Sequence, residues 1–175
     1  MKNNPSKTAV LIVLSLISLI AIITVFVIWN MNKNHKIYNK ESLEKIVGTD
    51  LTERDEQYGN NPYKKYQIYG DDSSKFNYIE FYVFENDKAA LNTFNEIKSV
   101  ELYNISAEGD NFVQGYLNNV CDASIEGYYY ISGNLIVYTY VSITSCWGDV
   151  DEVSTVAPEA LEIAEKRIEL INETF

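Results

Sequence analysis

Few side chains in this 175-residue chain combine the types and spacing that chemistry requires. The single histidine, His35, stands between Lys33 and Lys36 with no carboxylate, serine or cysteine beside it, so no nucleophile–base set forms around it. Carboxylates number 25, and any two that face each other could do general acid–base work. Their spacing singles out no pair, and a solvated acidic surface accounts for them. Zinc needs a Cys/His cluster, whereas this chain has one His and two distant cysteines, Cys121 and Cys146. Asp149-Val-Asp-Glu152 and Gly70-Asp-Asp-Ser-Ser74 offer oxygens for calcium but lack the Gly-centred spacing of a calcium loop. Gly127 and Gly133 are isolated, so there is no phosphate-cradling loop. The expectation is a protein that is not an enzyme and uses no cofactor or metal.

Tyrosine is the residue type that rises above background, with fourteen in the chain and five at positions 128, 129, 130, 138 and 140. A hairpin closed by the three residues Ser132-Gly133-Asn134 would set Ile131 opposite Leu135, Tyr129 opposite Val137 and Ile125 opposite Val141. Tyr128 and Tyr130 would then share a face with Ile136, Tyr138 and Tyr140, apart from an aliphatic face. A slip of one residue would mix the two sets. Tyrosine rings are rigid and amphipathic, so such a face, if exposed, suits a peptide, glycan or protein partner. Tyr128, Tyr130, Tyr138 and Tyr140 are the candidate partner-binding residues; the alternative is that a helix covers them and only their hydroxyls reach solvent.

These positions must be held by a small set of elements. Glu41 to Gly48 reads as a short helix with Leu43, Ile46 and Val47 on one side and Gly48 as its stop. Residues 49–64 are polar, with Gly59-Asn-Asn-Pro62 as a loop. Tyr66–Tyr69 and Asn77–Phe84 read as a strand hairpin. Asp87 caps a helix to about Val100, with Leu91, Phe94 and Ile97 as its stripe. Strands are expected at about 112–118, 125–131 and 135–143. A last helix runs to about Asn172 from a cap at Ser154 or Thr155, with Leu161, Ala164, Ile168 and Ile171 facing inward and Lys166-Arg167 outward. The expected fold is α+β: a single N-terminal transmembrane helix, then an antiparallel sheet of about five strands in β-β-α-β-β-β-α order, with helices packed on one face.

Charge divides the chain sharply. Residues 1–40 hold five lysines and no acid, and 41–175 hold nine bases against 25 acids, a net −16. A domain this acidic repels phosphate backbones and anionic headgroups, which argues against nucleic acid or a lipid surface as its partner. Thr8 to Trp29 is 22 residues without a charge, enough for a helix to cross the roughly 30 Å of bilayer hydrocarbon. The run is too long for a secretion signal, and Asn30-Met-Asn-Lys33 does not fit a small-x-small cleavage site. The sequence therefore predicts a tail at 1–7, an anchor in the lipid bilayer at 8–29, a basic stalk at 30–40 and an acidic domain at 41–175. Three positive charges flank each side of the anchor, so the positive-inside rule does not orient it. The even cysteine count does: a Cys121–Cys146 disulfide suits a domain outside the cytoplasm of a single-pass cell-membrane protein. The expected function is a membrane-anchored extracytoplasmic binding or accessory module, beside a membrane protein or on an extracellular peptide or glycan. An extracellular sensor or self-protection protein is the alternative, and a carboxylate-based enzyme is third.

Overall fold

The computed structural model of the protein describes residues 15–25, 36–70, 73–117, 125–143 and 158–175. The chain forms two compact units, Met1–Lys36 and Ile37–Phe175. In the first, residues 15–25 form helix α1, along which Leu16, Ile17, Leu19, Ile20, Ile22 and Ile23 are exposed. A membrane span needs about 20 helical residues. Among the described residues no helix is long and apolar enough to cross a membrane. This corrects the expected transmembrane helix over 8–29 and the single-pass cell-membrane location that rested on it; residues 8–14 and 26–29 lie outside the described ones. Cys121 and Cys146 also lie outside them, and among the described residues no disulfide is found. The placement of the domain outside the cytoplasm therefore has no support.

The second unit is built on a seven-stranded antiparallel sheet with the spatial order β1-β2-β3-β7-β6-β5-β4. Its strands are β1 (Thr52–Tyr58), β2 (Asn61–Gln67), β3 (Glu80–Phe84), β4 (Leu102–Glu108), β5 (Phe112–Leu117), β6 (Ile125–Ser132) and β7 (Leu135–Ile143). Five strands were expected; β1 and β4, the two edges, are extra, and β2 runs through Asn61–Tyr63, inside the stretch expected to be loop, sharing only Tyr66 and Gln67 with the expected strand Tyr66–Tyr69. Edge strands bury little, and β1 keeps its charges in solvent, with Lys64 of β2 reaching across to Glu53 and Asp55. A charged edge of this kind also blocks pairing with another chain.

The helices follow local chemistry closely. In α2 (Lys40–Val47), Asn39 and Ser42 cap each other's backbone N–H groups, and Gly48 ends the helix at φ +76°. In α3 (Asp87–Glu96), the cap is Asn86, whose side chain accepts from the Ala89 N–H at 3.0 Å. A π-helical turn, Ile97–Glu101, leads from α3 into β4. The buried stripe of α3 is Ala90, Thr93 and Phe94, while Leu91 is half exposed. Helix α4 (Pro158–Thr174) buries Ala164 and Ile171.

Helices cover both faces of the sheet rather than one. Leu43 and Val47 of α2 and Ala164 and Ile171 of α4 pack with Tyr66, Phe81, Tyr128, Leu135 and Val137. Ala90 and Phe94 of α3 pack with Phe84, Val113, Tyr129 and Ile136. The reason lies in the central strands. Phe81 and Phe84 of β3, and Leu135, Ile136 and Val137 of β7, are apolar toward both sides, and a strand of that composition needs cover on both.

Candidate functional site

The β6–β7 hairpin decides where the predicted tyrosines go. Its loop is two residues long, Gly133-Asn134, because Ser132 pairs directly with Leu135. Gly133 has φ +58° and Asn134 does not share the positive sign, the pattern of a type II′ turn. Tyr130 then lies opposite Val137, and Tyr129 opposite Tyr138. Relative to the expected three-residue loop this is the one-residue slip, and it splits the four candidates.

Tyr128 and Tyr130 lie on the α4 face with Leu135 and Val137, 2% and 8% exposed. The Tyr128 hydroxyl donates to Asn172 Oδ1 at 2.8 Å, and its ring stacks on Phe112. Together they line a groove of about 340 Å³ beside α4 with Ile168 and Asn172. Tyr138 lies on the α3 face, 4.6 Å from the Tyr129 ring and 6.2 Å from Tyr82. Burial and the nearby Glu80 carboxylate push its hydroxyl up to about 12, so it is a neutral donor at ordinary pH. The same face carries Tyr58, Tyr63 and Tyr82, so the structure has a tyrosine layer, made of residues the sequence did not group.

Tyr138 and Tyr140 do come together at a second cleft. It has a volume of about 270 Å³ and is lined by Gln67, Asn77, Tyr78, Glu80, Tyr138 and Tyr140 among others. Tyr78 is the most exposed of these six. It is the one non-glycine residue at positive φ among the described residues, at +62°, a conformation that costs about 1–3 kcal/mol and tends to be kept at functional sites. Thr139 Oγ1 donates to the Tyr78 carbonyl at 3.1 Å and so helps to hold it there. Tyr78 is 57% exposed, and its ring meets Tyr140 edge-on, with centroids 5.9 Å apart.

Two charged groups complete the setting. Glu80, half-buried, pairs with Lys65 at 2.7 Å and accepts from the Tyr82 hydroxyl at 2.6 Å. Arg167 of α4 is outside the cleft's lining but lies beside two of its rings: its guanidinium is 5.0 Å from the Tyr140 ring and 5.6 Å from the Tyr78 ring. Its Nη1 donates to Thr139 Oγ1 at 3.2 Å, while its Nε is buried without a hydrogen-bond partner. Rings, amides and one carboxylate can stack on and hydrogen-bond a polar ligand. Among the described residues no three His, Cys, Asp or Glu side chains cluster as metal ligands.

Tyr78, Glu80, Gln67 and Arg167 were not singled out from the sequence. Tyr78 gives no signal there, because tyrosine does not advertise a left-handed backbone, and it reads as one residue of a strand. Arg167 does leave a trace. Helix α4 holds five glutamates, yet the positions three and four away from Arg167 are Ile163, Ala164, Leu170 and Ile171. Compared with known proteins, the chain matches no family model, no curated protein and no solved structure.

Proposed function

We propose that the 37–175 unit is a non-enzymatic binding module, and that the cleft at Tyr78 and Tyr140 seats a sugar ring of a glycan. One observation carries this reading. Tyr78 is held at positive φ, is exposed, and lines the cleft with its ring edge-on to Tyr140. The turn Phe76–Ile79, closed by the Ile79 N–H donating to the Phe76 carbonyl at 3.2 Å, sets that conformation and buries Phe76 and Ile79, while Tyr78 itself stays out of the core. A pyranose has an apolar C–H face, which stacks on an aromatic ring, and a rim of hydroxyls, which pair with amides and carboxylates. The cleft offers both kinds of group: the Tyr78, Tyr138 and Tyr140 rings, the Gln67 and Asn77 amides, and Glu80.

The full-length chain and its Tyr78→Gly variant, screened on glycan and peptide arrays, test the reading. Glycine adopts positive φ freely, so this variant should keep its stability within about 1 kcal/mol while losing the ring. The expected result is selective glycan binding that falls at least tenfold in the variant. Binding to peptides alone would overturn the glycan assignment. Binding that Tyr78→Gly leaves intact would place the site elsewhere, and turnover of a bound glycan would overturn the non-enzymatic one.

A further inference from the structure

Strand register sets three residues of the cleft's lining side by side. Gln67 of β2 pairs with Glu80 of β3, and Glu80 pairs with Tyr138 of β7, so the three stand in one row across the sheet and on one face of it. Glu80 is the one charged side chain among the described residues that line the cleft. It is not a free anion. Half-buried Lys65 bonds its Oε1 at 2.7 Å, and the Tyr82 hydroxyl donates to its Oε2 at 2.6 Å. Lys65 and Tyr82 are themselves opposite each other in the next row of β2 and β3 on the same face. The ion pair thus brings no net charge to the cleft, and each carboxylate oxygen can still accept a further hydrogen bond. The remaining polar groups of the lining are the Gln67 and Asn77 amides and the phenols of Tyr78, Tyr138 and Tyr140. A charged ligand would leave water for a wall of rings and amides with no free counterion in it, and its desolvation would go uncompensated. An anion would also meet the field of a domain with 25 acids. A hydroxyl meets neither cost, because it both donates and accepts.

We infer that the sugar seated in the cleft is an uncharged one, a neutral hexose rather than a uronic or amino sugar, and that the Lys65–Glu80 pair sets this choice. This rests on the glycan reading of the cleft and narrows it. Glu80 is the specificity-determining group, accepting from the sugar's hydroxyls. Lys65 lies outside the lining and is a positioning residue, which acts through Glu80 by holding its carboxylate and cancelling its charge.

Methyl glycosides of glucose, galactose and mannose are the neutral probes. Each is compared with its 6-carboxylate and its 2-amino form at mildly acidic pH, where these carry one negative and one positive charge. Binding to the full-length protein is followed by nuclear magnetic resonance titration, and circular dichroism checks the fold of each variant. The expected result is that at least one neutral probe binds at least tenfold more tightly than both of its charged forms. Glu80→Gln leaves Lys65 without its counterion, so the preference should move at least tenfold toward the carboxylate. Lys65→Met leaves Glu80 without its own, so the preference should move at least tenfold toward the amine. A merely structural pair would weaken all three forms alike. A charged form that matches or exceeds its neutral parent on the wild-type protein would overturn this inference and leave the glycan reading standing, and that comparison decides the matter even where a variant does not fold. Folded variants with the wild-type preference would overturn the role given to the pair. Failure of every probe to bind would overturn the glycan reading, and this inference with it.

Discussion

Asn134 and the backbone of Tyr38, 96 residues apart, are hydrogen bonded in both directions. The Tyr38 N–H donates to Asn134 Oδ1 at 2.7 Å, and Asn134 Nδ2 donates to the Tyr38 carbonyl at 3.1 Å. The same Nδ2 donates to the Phe84 carbonyl at 2.9 Å. A turn residue that is 3% exposed thus ties the start of the second unit to the end of β3.

Asn134→Ala should therefore cost about 2–4 kcal/mol, because it leaves buried backbone groups of Tyr38 and Phe84 unsatisfied. Asn134→Asp keeps an acceptor but loses both donated bonds, so it should also destabilise. Urea denaturation of the variants measures this, and a loss well under 1 kcal/mol would mean that water replaces the side chain without penalty.

Tyr128 separates packing from hydrogen bonding. Its ring is almost wholly buried, so Tyr128→Ala should cost about 3–5 kcal/mol, as removal of a core aromatic does. Tyr128→Phe removes only the bond to Asn172 and should cost about 1 kcal/mol. If the alanine variant unfolds at the wild-type midpoint, the ring is not part of the core.

Alkali should unfold the second unit. Burial raises the Tyr129 hydroxyl far above its usual range, and burial with the neighbouring Glu80 does the same for Tyr82. The native state then keeps protons that the unfolded chain loses above about pH 10. Stability is full below that pH and falls as the pH climbs past it, by about 1.4 kcal/mol per pH unit for Tyr129 alone. Phenolate absorbance and circular dichroism should change together in one step. Tyrosines that all ionise near pH 10 with the fold intact would contradict the buried layer.

Gly115 holds the β4 edge in place. A Cβ there would lie 2.6 Å from the Asn104 carbonyl oxygen and 3.1 Å from the Ile105 Cα, both backbone atoms of β4. Gly115→Ala should therefore push β4 away and cost about 1–3 kcal/mol. Hydrogen exchange should show faster exchange over 102–108 than in β6 and β7. Unchanged protection of β4 would mean that the strand shifts without cost.

The sequence by itself determined the elements whose side chains are sorted by burial. Helix α2 followed from Leu43, Val47 and Gly48, helix α4 from Ala164 and Ile171, and the central strands from their runs of aliphatic and aromatic residues. Strands β1 and β4 escaped notice because an edge strand is held by backbone hydrogen bonds on one side and faces water on the other. Thr52–Tyr58 therefore carries charges where a central strand carries valine. The cover on both sheet faces, the tyrosine layer and the cleft were decided by tertiary structure. A two-residue turn in place of a three-residue one moved the β7 side chains from Leu135 to Tyr140, up to the bulge at Glu126/Gly127, to the opposite face relative to β6, and turn type depends on the backbone of Gly133 rather than on any pattern in the flanking residues. Likewise Arg167 and Tyr78 stand 89 positions apart in sequence, and only the packing of α4 against β7 brings the guanidinium to that ring.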